Sequence, residues 1–174
     1  MDQERAEAPS GRDQLVAVLY HRERAGLVRL AYGLTGDRSD AEEIVQDAFA
    51  ALLRRWGALR EVDAAPGYLY TAVVNGARAR YRQRKIRERL GVLIGPSSSA
   101  AQPDVAEEAA VLAAIRQLAP RKRACVLLRY YADLSEVETA TVLGVSVGTV
   151  KSQTAKALTR LAVLLTPQQS EVSR

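Results

Sequence analysis

The sequence predicts an all-α fold: two small helical domains joined by a flexible linker, the second ending in a helix-turn-helix. Strand-type alternation is absent, and Ala and Leu, both strong helix formers, dominate the apolar residues. The run from Gly91 to Pro103 holds Gly95-Pro96 and Ser97-Ser98-Ser99, the composition of a flexible connector. Ala140, Gly144 and Val150 stand at offsets of four and then six, the spacing of a helix crossing, a tight turn and a second helix packed back on the first.

Taken in order, residues 1–12 read as a disordered tail and 13–90 as the first helical domain. Leu27, Leu30, Ala31 and Leu34 give a one-face stripe to a helix over Leu15 to Leu34, which Gly36-Asp37-Arg38 breaks. Ser39 with Glu42 reads as a capping box that starts the next helix, whose stripe is Ala41, Ile44, Val45, Ala48, Phe49, Leu52 and Trp56. Gly57 to Pro66 reads as a loop, and a further helix runs from about Gly67 to Leu90. Residues 91–103 are the linker and 104–166 the second domain, with a tail at 167–174. In that domain a helix over Asp104 to Leu118 carries Leu112, Ile115 and Leu118, and Pro120 suits the first position of a helix reaching Ala132. Ser135 with Glu138 is a second capping box, Gly144 ends that helix, and Ser146 caps a last one running to about Leu165.

Composition excludes several function classes. One cysteine, Cys125, excludes an internal disulfide and a cysteine-cluster metal site, and one histidine, His21, excludes a histidine cluster, so no metal or cofactor is expected. No apolar run has the length of a membrane helix, and the polar start Met1-Asp2-Gln3-Glu4-Arg5 lacks a signal-peptide stretch, so a cytoplasmic protein is expected. Cys125 lies in the apolar run Ala124-Cys125-Val126-Leu127-Leu128 and reads as a structural thiol, so an enzyme with a small-molecule substrate is not expected.

The net charge of +5 permits nucleic-acid binding, and its distribution says more than the total. Ser39 to Leu53 carries Asp40, Glu42, Glu43 and Asp47 and no base; Arg78 to Arg89 carries seven bases and the single acid Glu88. Gly144 to Arg160 carries Lys151, Lys156 and Arg160 and no acid. Each patch would also serve as a solvated helix face. In the helix-turn-helix, Val137, Leu143, Val145, Leu158 and Leu161 are expected in the core, and Thr149, Lys151, Ser152, Gln153 and Lys156 point outward. Hydroxyl, amide and ammonium groups at a helix start suit base edges and phosphates in a major groove. In the basic helix, Asn75, Arg78, Arg82 and Arg89 lie near one face, with Arg80, Arg84 and Arg87 beside them and Tyr68, Tyr70 and Tyr81 interleaved, a pattern suited to single-stranded bases and their phosphates. Asp40, Glu43 and Asp47 share a face with Gln46 adjacent, which suits docking on a basic protein.

These residues, in this order from about Leu27 to Leu161, resemble the extracytoplasmic-function sigma factors of bacterial RNA polymerase. Asp40-Ala41-Glu42-Glu43-Ile44-Val45-Gln46-Asp47-Ala48-Phe49 looks like the family's region 2.2 helix. The resemblance implies that Asp40, Glu43, Gln46, Asp47 and Phe49 bind the β′ clamp helices of core polymerase. Trp56 and the loop after it, with Arg60, resemble the segment that captures a flipped base of the minus-ten element, and Tyr70, Asn75, Arg78 and Arg82 fall in a helix similar to the one that opens and reads it. Leu118-Ala119-Pro120, Arg129-Tyr130-Tyr131 and Gly148-Thr149-Val150-Lys151-Ser152 match region 4. That match implies that Ser146, Thr149, Lys151, Ser152, Gln153 and Lys156 read the minus-thirty-five element and that this domain meets the β flap. The family also implies an anti-sigma factor as partner. Ala79, Thr139, Gln153, Thr154 and Leu158 depart from the common pattern, which leaves the promoter sequence open. The excess of 21 Arg over 4 Lys is a coding bias of GC-rich genomes such as those of actinobacteria. A stand-alone regulator that binds DNA through its helix-turn-helix is the rival reading; an enzyme is the remote one.

Overall fold

Helix caps decide where each element begins. The structure is a computed structural model that describes residues 11–58, 62–91 and 106–166. Its helices are α1 (Gly11–Thr35), α2 (Arg38–Arg55), α3 (Ala65–Arg89), α4 (Ala106–Arg116), α5 (Pro120–Val126), α6 (Glu136–Leu143) and α7 (Val147–Leu165). Among the described residues there is no strand, and no helix is long and apolar enough to cross a membrane. Helix α1 begins at Gly11, inside the segment read as a tail; residues 1–10 and 167–174 lie outside the described ones.

The Ser39–Glu42 capping box does not form. Asp37 is the N-cap of α2 instead, its carboxylate accepting from the Asp40 amide at 2.8 Å, and Glu42 pairs with Arg38 at 3.1 Å. Thr35 fixes Asp37 in turn: its hydroxyl donates to the Asp37 carbonyl at 3.1 Å and accepts from the Asp37 amide at 3.3 Å. The second box does form, with Glu138 N donating to Ser135 Oγ at 3.2 Å and Ser135 N to Glu138 Oε2 at 2.7 Å. Gly144 ends α6 at φ 66°, the left-handed conformation that a side chain would strain, and Ser146 Oγ accepts from the Thr149 amide at 3.1 Å to start α7. Pro120 opens α5, and the helical path continues through a π-type turn over Leu127–Tyr131.

Helices α1, α2 and α3 pack on one another; α7 packs on α4, α5 and α6. Leu27, Leu30, Leu52, Leu69 and Val73 form the first interior, and Leu118, Cys125, Leu128, Leu143 and Leu161 the second, in one continuous buried cluster. Each fully buried leucine contributes roughly 2 kcal/mol of transfer free energy. Two residues expected in the helix-turn-helix core are on its surface: Val137 is 64% exposed and Leu158 40%. A short helix pair buries one stripe only, and Thr139, Ala140 and Leu143 occupy it on α6 while Val150, Thr154, Ala157 and Leu161 occupy it on α7.

Candidate nucleic-acid interface

Successive arginines of α3, two residues apart, point to opposite sides, because that spacing is roughly 200° round a helix. Arg80 and Arg84 turn toward α2. Arg80 Nη2 reaches Glu43 Oε1 at 2.5 Å and its Nε lies 3.5 Å from Asp40 Oδ1; Arg84 Nη2 lies 3.5 Å from Asp40 Oδ2. The hydrogen bond to Glu43 raises the Arg80 pKa above its ordinary value. The acidic face is thus partly neutralised by the chain's own basic helix. Gln46 and Asp47 are exposed, and Asp47 has no ion pair among the described residues. Phe49 does not line this face: it is 5% exposed, with its ring edge-on to Tyr20 at 4.9 Å between centroids, so it supports the face from inside the core.

Arg78 and Arg82 turn the other way, with Asn75 exposed beside them. Arg78 Nη1 lies 3.5 Å from Asn75 Oδ1, and its Nη2 donates to the carbonyl of Leu143 at 3.2 Å, across to the end of α6. Tyr70 is half-buried on α3; burial first, then the charges of Glu23, Tyr131 and Glu138, push its phenol pKa up, so it stays neutral. Trp56 sits in a 3-10 turn, Trp56–Ala58, half-buried against the core. Arg60 lies outside the described residues.

On α7, Lys151, Ser152 and Lys156 are exposed, while Thr149 and Gln153 are half-covered. Ser146 is occupied as the cap, its hydroxyl 2.9 Å from that of Thr149. Lys151 Nζ reaches back toward α6, 3.5 Å from Glu136 Oε2. Arg78 and Arg82 of α3 and Thr149 and Gln153 of α7 line one cleft of about 590 Å³, together with Tyr81 and Arg123. The sequence grouped these side chains by helix; it carried no signal that the two groups meet. Nor did it mark Arg123 and Arg116. Cys125 is 2% exposed and burial pushes its thiol pKa up, which suits a structural residue.

Comparison with known proteins follows the same division. Residues 19–86 match the model of Sigma-70 region 2, and residues 108–161 that of Sigma-70, region 4. The RNA polymerase sigma-E factor of Streptomyces antibioticus is 35% identical over 139 residues, covering 78% of this chain and 76% of that protein. The ECF RNA polymerase sigma factor SigM of Mycobacterium tuberculosis is 34% identical over 149 residues, covering 84% and 75%. Among solved structures, CnrH in complex with the cytosolic domain of CnrY aligns with a TM-score of 0.68 at 25% identity, over 92% of this chain and 93% of that one. The sigma factor RpoE of Bartonella quintana, solved with the anti-sigma factor NepR, aligns with a TM-score of 0.70 at 22% identity, over 88% and 98%, and shares the fold.

Proposed function

The chain belongs to the extracytoplasmic-function group of the sigma-70 family of RNA polymerase sigma factors, and on that premise we propose how its own side chains divide the work of transcription initiation. Exposed Asp47 and Gln46, with Asp40 and Glu43 behind their arginine partners, dock on a basic surface of core polymerase. Asn75, Arg78 and Arg82, with Tyr70 and Trp56, hold the nontemplate strand of the minus-ten element. Opening that duplex costs stacking free energy of about 1.4 kcal/mol per step, and stacking of freed bases on aromatic rings with arginine contacts to phosphates offsets it. Thr149, Lys151, Ser152, Gln153 and Lys156 on α7 enter the major groove of the minus-thirty-five element, with Ser146 fixing the helix start. Neither DNA contact need be strong, since both become intramolecular once one polymerase carries them. The protein works in the cytoplasm, supplies recognition, and leaves catalysis to the polymerase. An anti-sigma factor is its expected regulator.

The observation that carries this reading is the presence, in one chain, of region 2 and region 4 sequences joined to an acidic helix face, a split basic helix and a capped, basic second helix of a helix-turn-helix. Run-off transcription tests it. Purified core polymerase on fragmented genomic DNA, with and without this protein, is expected to give discrete new transcripts only when both are present. Duplex binding by the protein alone, without such transcripts, would point to a stand-alone regulator.

A further inference from the structure

Two arginines meet at the seam where α1 touches α4 and α5. The Arg123 guanidinium donates from Nη1 to the carbonyl of Leu34 at the end of α1, 2.9 Å away, and from Nη2 to the carbonyls of Arg116 at 2.5 Å and Leu118 at 3.1 Å. Arg116 lies over the Tyr32 ring, 4.6 Å from its centroid. Among the described residues no carboxylate pairs with either arginine. Arg116 Nε and Nη2 and Arg123 Nε are buried there without a hydrogen-bond partner. Burial, and then the charge of Arg116, push the Arg123 pKa below its ordinary value. Carbonyl dipoles and a ring thus hold two like charges together, and nothing among these contacts offsets their repulsion. An anion would answer both the charge and the unpaired donors.

Both arginines line a cavity of about 420 Å³, a volume in the range of small-molecule sites. Arg80, Arg84 and Lys85 of α3 line it too, so its wall carries five bases against two acids, Asp40 and Glu88. Both acids are already paired. Asp40 lies 3.5 Å from Arg80 Nε and 3.5 Å from Arg84 Nη2, and Glu88 lies 2.8 Å from Lys85 Nζ. Asp37, in the adjoining turn, is directed to the start of α2, where its Oδ1 accepts from the Asp40 amide at 2.8 Å. The pairs made by Arg84 and Lys85 are surface ones, which a stronger anion displaces at little cost. Tyr81 adds an aromatic ring to the wall and is 46% exposed. One phosphate engages two guanidinium groups, which leaves Arg84 and Lys85 for a second.

We propose that this cavity binds a small diphosphate: Arg116 and Arg123 take one phosphate, Arg84 and Lys85 take the other, and Tyr81 offers its ring to a base where the diphosphate belongs to a nucleotide. Arg84, Lys85, Arg116 and Arg123 lie outside the sets assigned to promoter and polymerase, so the site stands or falls apart from that reading.

Isothermal titration calorimetry of the full-length chain with pyrophosphate, at an ionic strength matched with sodium chloride, tests this. Saturable one-to-one binding is expected, and pyrophosphate at about a hundredfold excess over its Kd should raise Tm by about 5–10 °C. Arg116→Gln should weaken binding by about tenfold or more. Arg84→Gln should do the same; that side chain is 41% exposed, and the variant leaves the Arg123 contacts in place. Lys122→Gln removes the same charge outside the cavity and should bind like wild type. Adenosine diphosphate separates the two sources of the group. Tighter binding than pyrophosphate, falling back in Tyr81→Ala, makes the ligand a nucleotide, whereas equal or weaker binding makes it the free diphosphate. Absence of binding heat and of any Tm shift beyond the chloride control overturns the site. So does binding that Lys122→Gln weakens as much as Arg84→Gln, the response of a generally basic surface. If circular dichroism shows Arg116→Gln unfolded, the comparison of Arg84→Gln with Lys122→Gln decides alone.

Discussion

Lys151 offers the sharpest test of the promoter-reading surface. In a helix-turn-helix the second helix enters the groove while the first crosses the DNA backbone. Lys151 extends from α7 toward α6, its Nζ 3.5 Å from Glu136 Oε2, which on the proposed reading puts it on the side where phosphates would pass. Its side chain is 63% exposed and that of Glu136 38%, so the pair is a surface one, worth at most about 1 kcal/mol, and DNA can displace it. A phosphate contact contributes about 0.9 to the slope of log affinity against log salt. Between 50 and 200 mM salt, wild-type holoenzyme should therefore lose about 3.5-fold more affinity for a promoter fragment than Lys151→Ala holoenzyme does. Fluorescence anisotropy across a salt series reads this directly. Glu136→Gln, which frees Lys151 from its competitor, should tighten binding by up to about fivefold. Parallel salt lines for wild type and Lys151→Ala would falsify the phosphate assignment. Parallel lines with relaxed preference at a single base pair would instead make Lys151 a base reader.

Asp47→Arg places a base on the exposed part of the acidic face and should weaken affinity for core polymerase by about tenfold or more in a competition assay, with unchanged affinity counting against docking through α2. Thr139 is 0% exposed with its hydroxyl unpartnered, so Thr139→Val should stabilise the chain by about 1 kcal/mol and raise Tm by about 2–4 °C; a lower Tm would mean the hydroxyl has a partner. Ser135→Ala removes the α6 cap and should lower Tm by about 2–4 °C near neutral pH. Hydrogen bonds from Ser135 lower the Glu138 pKa below its ordinary 4.5, so that contribution is present above about pH 4.5 and fades as pH falls through the folded value. The gap in Tm between wild type and Glu138→Ala, which removes the carboxylate that Ser135 N–H holds, should narrow on acidification, and a constant gap would refute the coupling.

What the sequence made legible was local. Gly144 and Ser146 announce their turn because few residues other than glycine accept a φ of 66° and because serine oxygen caps a helix from one position. The start of α2 shows the limit. Ser39–Glu42 and Asp37–Asp40 offer equally good local caps, and the choice falls to Asp37 because Thr35 grips it from the end of α1. Val137 and Leu158 were misplaced for a related reason: an apolar residue at the edge of a helix's buried stripe fits inside or outside until the neighbour's position is known, and here Thr139 and Thr154 take the inside. The acidic face of α2 was legible as a run of charges, but Phe49, two residues beyond Asp47, belongs to the core beneath it. The seam was not legible at all. Arg123 sits among Arg121 and Lys122 as one base of a run, and only the carbonyls of Leu34 and Leu118, 89 and five residues away, give it a role.

On the assignment proposed above, the division of α3 would let one helix serve two partners of opposite charge. Its arginines alternate sides, so Arg80 and Arg84 screen Asp40 and Glu43 while Arg78 and Arg82 stay on the face assigned to DNA. Without the screening arginines, four acids on α2 would stand beside the path of a polyanion and repel it. With them, the repulsion is local and short, because an ion pair presents a dipole to a distant phosphate. The same arrangement constrains docking. A basic polymerase surface would either displace Arg80 from Glu43 or bind first through Asp47 and Gln46, which no ion pair holds among the described residues. The second route needs no bond broken before contact. A charge reversal at Asp47 should therefore slow association with core polymerase, whereas one at Glu43 should act chiefly on dissociation.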